Sequence, residues 1–377
     1  MNLTKNRNRL VKIFKVLPCK TFIISLLNSF RNRRLRSLKT PENLIFFVTN
    51  RCNARCAHCF LWKCLNKEQE KELTLSGIEF IVRSLKHRLD TLLVSGGEPL
   101  LREDLYDLLN LFYAYNHTKK FHIPSNGSLP EKLNLLCEKI LNSMDVELSV
   151  IISIDGDESY HNKLRGTDIY QKAVRSLKLL RELESSHKNF VLTAITTLTT
   201  DNVKYLPSIA KAMSDIGVRH GINLCRGSTY GIMDLDAEHI ADYDPREKMS
   251  IPSTDELIQI WNEHGHSRHE LGQAIQQAMR KFTISILKNK KPPLKCRAGA
   301  ADGVLYPDGA VSMCEMTKRF ANVKDYNCDF HKLWHSEPAE TARSWISKCS
   351  CIHPCHMINS MKYDYSFFNE LTKYNED

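Results

Sequence analysis

Six short apolar runs, separated by helical stretches, constrain this chain more than any other feature. They cover residues 44–49, 91–95, 121–125, 148–154, 191–198 and 221–224. Each is rich in β-branched or aromatic residues and is bounded by polar or proline positions, as buried strands are. Between them, residues 75–89 keep Ile78, Ile81, Val82 and Leu85 on one helical face, and residues 173–183 do the same with Leu177 and Leu180. Strands alternating with helices imply an α/β fold with a parallel sheet, either open or closed into a barrel. In both arrangements the working surface is built from loops at the C-terminal strand ends. Those ends are chemically loaded here: Cys52, Cys56 and Cys59, then Gly96-Gly97-Glu98-Pro99, then Ser125-Asn126-Gly127, then Ser153, Asp155 and Gly156, and finally Cys225-Arg226-Gly227. An active site at that end of the sheet is the expectation.

Charge and composition narrow the class. With 42% apolar and 25% charged residues the body matches an ordinary globular protein rather than a disordered or membrane-spanning one. The net charge of +10 comes from the front: residues 1–40 hold 11 basic residues and no acidic one, leaving 42 basic against 43 acidic in the rest. A nucleic-acid binder spreads its basic surface over a folded face, so no nucleic-acid partner is expected. Lys12, Lys15, Pro18 and Lys20 interrupt the apolar stretch of this leader, which falls short of the ~20 apolar residues of a spanning helix. Two readings of residues 1–41 stay open. One is a helix lying on anionic membrane; the other is a helix packing its apolar stripe on the body. Thirteen cysteines, clustered near residues 52–64 and 349–355 of a long chain, point to metal sites in a reducing compartment. The expected location is cytoplasmic, with the inner membrane face as the place of any lipid contact.

Cys52-x3-Cys56-x2-Cys59 supplies three thiols. Structural zinc takes four closed ligands, whereas a [4Fe–4S] cluster held by three cysteines keeps one iron open for a substrate or cofactor. Zinc completed by His58 or Cys64 is the alternative. This spacing after a first strand, Gly96-Gly97-Glu98-Pro99 after a second, Ser125-Asn126-Gly127 after a third, and Ser153-x-Asp155-Gly156 with His161 and Arg165-Gly166 after a fourth resemble the radical S-adenosylmethionine (radical SAM) superfamily. Members often carry Asp after that histidine, where this chain has Asn162. The resemblance covers roughly residues 44–226 and implies a partial (β/α)6 barrel over 42–227. It implies that Cys52, Cys56 and Cys59 ligate a [4Fe–4S] cluster whose open iron chelates S-adenosylmethionine. His58 would lie against the adenine, and Gly96, Gly97 and Glu98 would sit beside the methionine ammonium. Ser125 and Asn126 belong to the same cofactor cradle. Ser153 and Asp155 would reach the ribose or carboxylate, and Arg165 would pair with the carboxylate.

The second cluster follows a helical linker over 228–293, in which His264, His266 and His269 read as a solvated loop. Cys296-x17-Cys314, with Gly309 five residues before the second cysteine, brackets a hairpin whose turn is Pro307-Asp308-Gly309. This is similar to the SPASM extension, or its shortened twitch form, of many radical SAM enzymes. It implies a small Cys-rich domain over 294–360, a tail over 361–377 and an auxiliary [4Fe–4S] cluster. Cys296 and Cys314 would be ligands, completed by two of Cys349, Cys351 and Cys355, with Cys328 as an outside candidate and zinc as the alternative metal. Cys225, at the mouth end of the sixth strand, is expected to face substrate as a hydrogen-atom donor.

The resemblance thus implies an enzyme that cleaves S-adenosylmethionine reductively, fed by a reducing partner of flavodoxin or ferredoxin type. Residues 1–43 are too few for a winged-helix leader-binding domain, which favours a small-molecule or lipid-linked substrate over a ribosomal peptide. A peptide-modifying maturase is the second reading. A non-catalytic iron–sulfur or zinc module is the third, and it has no use for Gly96, Gly97, Glu98, Asp155 and Arg165.

Overall fold

Strand β1 (Asn43–Thr49) is buried at every position, as expected of a parallel strand covered on both faces. Its even-numbered residues Leu44, Phe46 and Val48 pack among Ile78, Ile81 and Phe112. The odd-numbered Ile45 and Phe47 point the other way, into a cluster with Val304 and Tyr306. Burying each such side chain contributes about 1.5–3 kcal/mol, so the period of two fixes which face of β1 lines the interior. The computed structural model describes residues 20–67, 71–86, 88–226, 232–233, 235–242, 245–264, 270–289, 294–346 and 349–364.

In chain order the elements are α1 (Lys20–Ser37), β1, α2 (Leu75–Ser84), β2 (Thr91–Gly96), α3 (Leu105–Asn116), β3 (Lys120–Ser125), α4 (Pro130–Ser143) and β4 (Glu147–Ser153). Next come α5 (Glu158–Arg165), α6 (Tyr170–Ser186), β5 (Phe190–Leu198), α7 (Leu206–Asp215), β6 (Arg219–Leu224) and the short β7 (Ile232–Met233). The linker holds α8 (Thr254–Glu263) and α9 (Glu270–Asn289). The C-terminal part adds β8 (Asp302–Leu305), β9 (Ala310–Ser312), β10 (Ala321–Asn322), α10 (Phe330–Trp334), α11 (Glu337–Ile346), β11 (Ser350–Cys351) and α12 (Pro354–Met361). All six sequence-predicted strands form, and β1 to β6 run parallel in sequential order.

The sheet continues past β1. Strand β8 pairs parallel to it, Asn43 with Asp302 through Phe46 with Leu305, and β9 and β10 extend the order to β10-β9-β8-β1-β2-β3-β4-β5-β6. The cysteine-bearing hairpin is therefore continuous with the barrel sheet. Its turn needs glycine: Gly309 has φ +92°, and a Cβ there would stand 2.8 Å from Asn322 Oδ1.

Residues 1–19 of the leader lie outside the described residues, but α1 rests on the body by its C-terminal part. Leu35 is buried with Ala301 and Tyr363, Asn32 Nδ2 donates to Tyr363 O at 3.0 Å, and Arg34 pairs with Glu42 at 3.1 Å. Leu26 and Phe30 remain 45% and 60% exposed, so the packing covers only part of the helix. Among the described residues no helix is long and apolar enough to cross a membrane.

Candidate active site

The cysteine loop leaves the C-terminal end of β1 and is pinned by the backbone of the neighbouring strand tip. Gly97 N donates to Thr49 O and Glu98 N to Arg51 O, both at 2.8 Å. Such approach requires glycine: a Cβ on Gly96 would lie 2.3 Å from Thr49 O, and one on Gly97 would lie 2.1 Å from Arg51 O. Gly96 also has φ +125°. The two glycines thus serve the cysteine loop itself, a role the sequence reading had given to the approach of a ligand. The far side of the loop is held by the end of α5, through Arg55 N to Arg165 O and Ala57 N to Leu164 O, both at 2.8 Å.

Above the strand tips lies a cavity of about 290 Å³. Cys52, Cys56, Cys59, His58, Gly96, Gly97, Glu98, Ser125, Asn126, Ser153 and Arg165 all line it, so the structure brings together every predicted residue of the first site but one. Asp155 is the exception. It is fully buried behind the wall and accepts from Arg165 Nε at 2.7 Å and from Thr197 N at 2.9 Å. Its expected contact with ribose or carboxylate is corrected to a support for Arg165. Burial works against ionisation of Asp155, yet the Arg165 guanidinium and the neighbouring His58 and His161 hold its carboxyl below the usual range. Arg165 in turn places Nη1 3.6 Å from the Cys56 sulfur.

Glu98 also differs from expectation. It lines the cavity, but its Oε1 accepts from Ser125 Oγ and its Oε2 from Asn126 N, both at 2.8 Å. Burial raises its pKa. Glu98 therefore staples the second strand tip to the third. The His58 ring is neutral, because burial pushes its pKa down to about 4, and its Nδ1 has no hydrogen-bond partner. Burial likewise pushes the Cys52 thiol up to about 11 and Cys59 to about 12; metal coordination overrides such a shift by deprotonating the thiol.

The cavity lining also includes residues the sequence reading missed. Thr197, Asn223, Glu315 and His353 line the same cavity with Cys355 and with Cys225 and Arg226, the two residues expected at the end of the sixth strand. Arg226 pairs with the buried Glu315 at 2.5 Å and lies 3.7 Å over the Phe60 ring. Glu315 follows Cys314, a cysteine already singled out, and that adjacency was the available signal. Cys225 is buried and lines the cavity.

The C-terminal thiols divide into two groups. Cys296, Cys349 and Cys351 line one small cavity with His356, and Cys314 acts electrostatically on both Cys296 and Cys349. Cys355 faces the larger cavity instead, 3.7 Å from Glu315 Oε1. Cys328 packs by Gly77 of α2. Of the expected ligands, Cys296, Cys349 and Cys351 thus share the small cavity, Cys355 lines the larger one, and Cys328 lies by α2. His266 and His269 lie outside the described residues.

The first cysteine group suits a cluster better than a single ion; in the C-terminal group Cys349 and Cys351 stand within hydrogen-bonding reach of each other. With Zn–S near 2.3 Å, thiolates around one zinc stand only about 3.8 Å apart. Among the described residues, the one group of three or more ligand atoms within 4.8 Å of one another is the Asp236, Glu238 and His239 set, which contains no cysteine. A cubane spreads its cysteines wider, since each binds a different iron. Three wider-spaced thiols beside a cavity whose wall carries the unpartnered Nδ1 of neutral His58 and the Arg165 cation fit a cluster with one open iron and a bound S-adenosylmethionine.

Residues 46–213 match the family model described as the radical SAM superfamily. The chain is 25% identical to pre-heme d1 synthase of Dinoroseobacter shibae over 48% of its own length and 42% of that protein. It is 24% identical to the antilisterial bacteriocin subtilosin biosynthesis protein AlbA of Bacillus subtilis over 86% of its length and 69% of AlbA. Against the first of these relatives it spans less than half of the relative's length. The solved structure of SuiB from Streptococcus suis bound to S-adenosylmethionine superposes with a TM-score of 0.56 at 14% identity, over 82% of this chain and 69% of SuiB. Cysteine loops at strand tips serve many metalloproteins, but this one is seated on these glycines within the stretch that the family model spans: residues 46–213 form a radical SAM domain, and the cofactors of that superfamily are a [4Fe–4S] cluster and S-adenosylmethionine.

Proposed function

We propose that this chain is an enzyme that cleaves S-adenosylmethionine reductively and abstracts a hydrogen atom from a substrate held in the 290 Å³ cavity. One observation carries the reading: the three thiols of the cysteine loop and the Arg226–Glu315 pair line the same cavity. When bound, the cluster supplies the electron that splits the C5′–S bond of S-adenosylmethionine into methionine and a 5′-deoxyadenosyl radical. The chain's own residues do the rest. Cys52, Cys56 and Cys59 hold three irons. Arg165, fixed by Asp155, presents a cation to the carboxylate of the bound methionine moiety, a charge-assisted contact. Neutral His58 offers an imidazole face and a hydrogen-bonding nitrogen to the adenine. Arg226 and Glu315 orient substrate, and the enclosing lining, which includes Phe60, Leu65 and Leu224, keeps stray hydrogen-atom donors away from the radical. A flavodoxin- or ferredoxin-type protein is the proposed reductant, and Cys296, Cys314, Cys349 and Cys351 the proposed ligands of an auxiliary [4Fe–4S] cluster.

A peptide substrate is supported by the extent of the likeness to AlbA, a bacteriocin biosynthesis protein, which covers 86% of this chain. A small molecule is the second reading, supported by the match to pre-heme d1 synthase over 48% of the chain. The test is electron paramagnetic resonance of the anaerobically reconstituted, dithionite-reduced protein in which the auxiliary cysteines are intact. Adding S-adenosylmethionine should change the signal of one cluster, and that change should vanish in Cys56→Ala; an unchanged spectrum would overturn the proposal.

Contact of the leader with anionic lipid is supported by the exposure of Leu26 and Phe30 on a helix that also exposes Arg33 and Arg36. Co-sedimentation with anionic vesicles should be lost in a chain starting at Lys39; equal binding would leave α1 as a packing element only.

A further inference from the structure

His356 is fully enclosed, and one of its two ring nitrogens is fully accounted for. Nδ1 lies 3.0 Å from Asp302 Oδ2. The other oxygen of that carboxylate, Oδ1, accepts from Asn43 Nδ2 at 2.9 Å and from Asn359 Nδ2 at 2.7 Å. Asp302 is thus an acceptor on both oxygens, so Nδ1 is the donor and the ring cannot flip without breaking the pair. Nε2 is buried without a nitrogen or oxygen partner, and the group within hydrogen-bonding reach of the ring on that side is the Cys314 thiol. The ring lines the small cavity with Cys296, Cys349 and Cys351, and it interacts with Cys314.

A buried ring that shares a small cavity with three thiols, interacts with a fourth, and is fixed from behind by a carboxylate has the arrangement by which proteins support metal ligands from outside the coordination shell. Four cysteines already satisfy four irons, so the imidazole is not needed as a ligand. We propose that Asp302 and His356 form a positioning dyad for the auxiliary cluster, with the His356 Nε2–H donating a hydrogen bond to the Cys314 sulfur. The inference rests on the auxiliary-cluster reading above. Its consequence is electrostatic: an N–H aimed at a cysteine sulfur withdraws electron density from the thiolate and raises the reduction potential of the cluster it holds. The dyad is also anchored to the sheet, since Asp302 opens β8 and pairs in register with Asn43 at the start of β1. The auxiliary site is thereby tied to the strand that carries the first cysteine loop at its other end.

The test uses the full chain with Cys52, Cys56 and Cys59 all changed to Ala, reconstituted with iron and sulfide, so that only the auxiliary cluster remains. With histidine labelled by nitrogen-15, pulsed electron paramagnetic resonance of the reduced cluster should show one weakly coupled nitrogen, and His356→Ala should abolish it. In the same background His356→Ala should lower the midpoint potential, and His356→Gln, which keeps an N–H donor, should restore part of the shift. A strong coupling, marking His356 as a ligand, would overturn the dyad, as would no coupling or an unchanged potential. Should His356→Ala fail to hold iron, the labelled measurement on native His356 still decides. Absence of iron from the parent triple variant would instead remove the auxiliary-cluster reading itself.

Discussion

Arg165 grips the fully buried Asp155 through Nε and Nη2, at 2.7 and 2.5 Å. Their pairing joins the C-terminal end of β4 to the end of α5, which also supports the cysteine loop. Breaking a buried pair by removing one partner strands an uncompensated charge, at a cost of about 3–5 kcal/mol. Asp155→Ala should therefore lower the denaturation midpoint strongly and weaken iron retention at the first site. Lys211→Ala, at an ion pair whose side chains are 77% and 60% exposed, should cost at most about 1 kcal/mol. Equilibrium denaturation of both variants gives the comparison.

Gly97→Ala should spare the fold and damage the loop. The added Cβ would meet Arg51 O at 2.1 Å, so the backbone leading to Cys52 must move. The expected result is a native circular dichroism spectrum with loss of about four iron atoms per chain after reconstitution. Gly217→Ala, at φ +71° but facing the flexible end of Arg181, should cost about 1–2 kcal/mol of backbone strain and no iron.

Iron content also tests the division of the C-terminal thiols. The wild-type chain should hold about eight irons, two cubanes of four. Cys349→Ala should lose about four, whereas Cys355→Ala should retain all eight, because Cys355 lines the cavity of the first site. A loss of iron in Cys355→Ala equal to that in Cys349→Ala would refute the assignment.

Acid should destabilise the fold through His161. Its Nδ1 accepts from Asp155 N at 3.2 Å, and burial pushes its pKa down to about 4. An unfolded histidine titrates near 6.5, so between roughly pH 4 and 6.5 the unfolded chain binds a proton that the folded chain refuses. The stability from this group is fully present above about pH 6.5 and is lost as pH falls toward 4. In the His161→Gln variant the slope of unfolding free energy against pH in that window should be smaller by about 1.4 kcal/mol per pH unit.

Much of this was legible in the sequence because period-two burial and the strand-tip residues are local signals. The runs that include Phe46, Val94, Ile123 and Val150 all became strands, and the residues after them converge on one cavity. The registry of β8 against β1 was not legible, since Asn43 and Asp302 are 259 positions apart and neither belongs to a motif. Asp155 shows a second limit. An Asp at a strand tip reads as a ligand-facing group, and only the position of Arg165 reveals that its oxygens are already engaged. The split of Cys355 from Cys351 likewise depends on the start of α12 turning the later thiol toward Glu315, which spacing alone does not encode.

The central claim is that the cysteine loop directs reductive cleavage of S-adenosylmethionine. The direct measurement is 5′-deoxyadenosine formed by the full chain after anaerobic reconstitution with iron and sulfide, with dithionite and S-adenosylmethionine supplied. The account predicts formation of 5′-deoxyadenosine that is abolished in Cys56→Ala; an amount no greater than that of the Cys56→Ala control would contradict it.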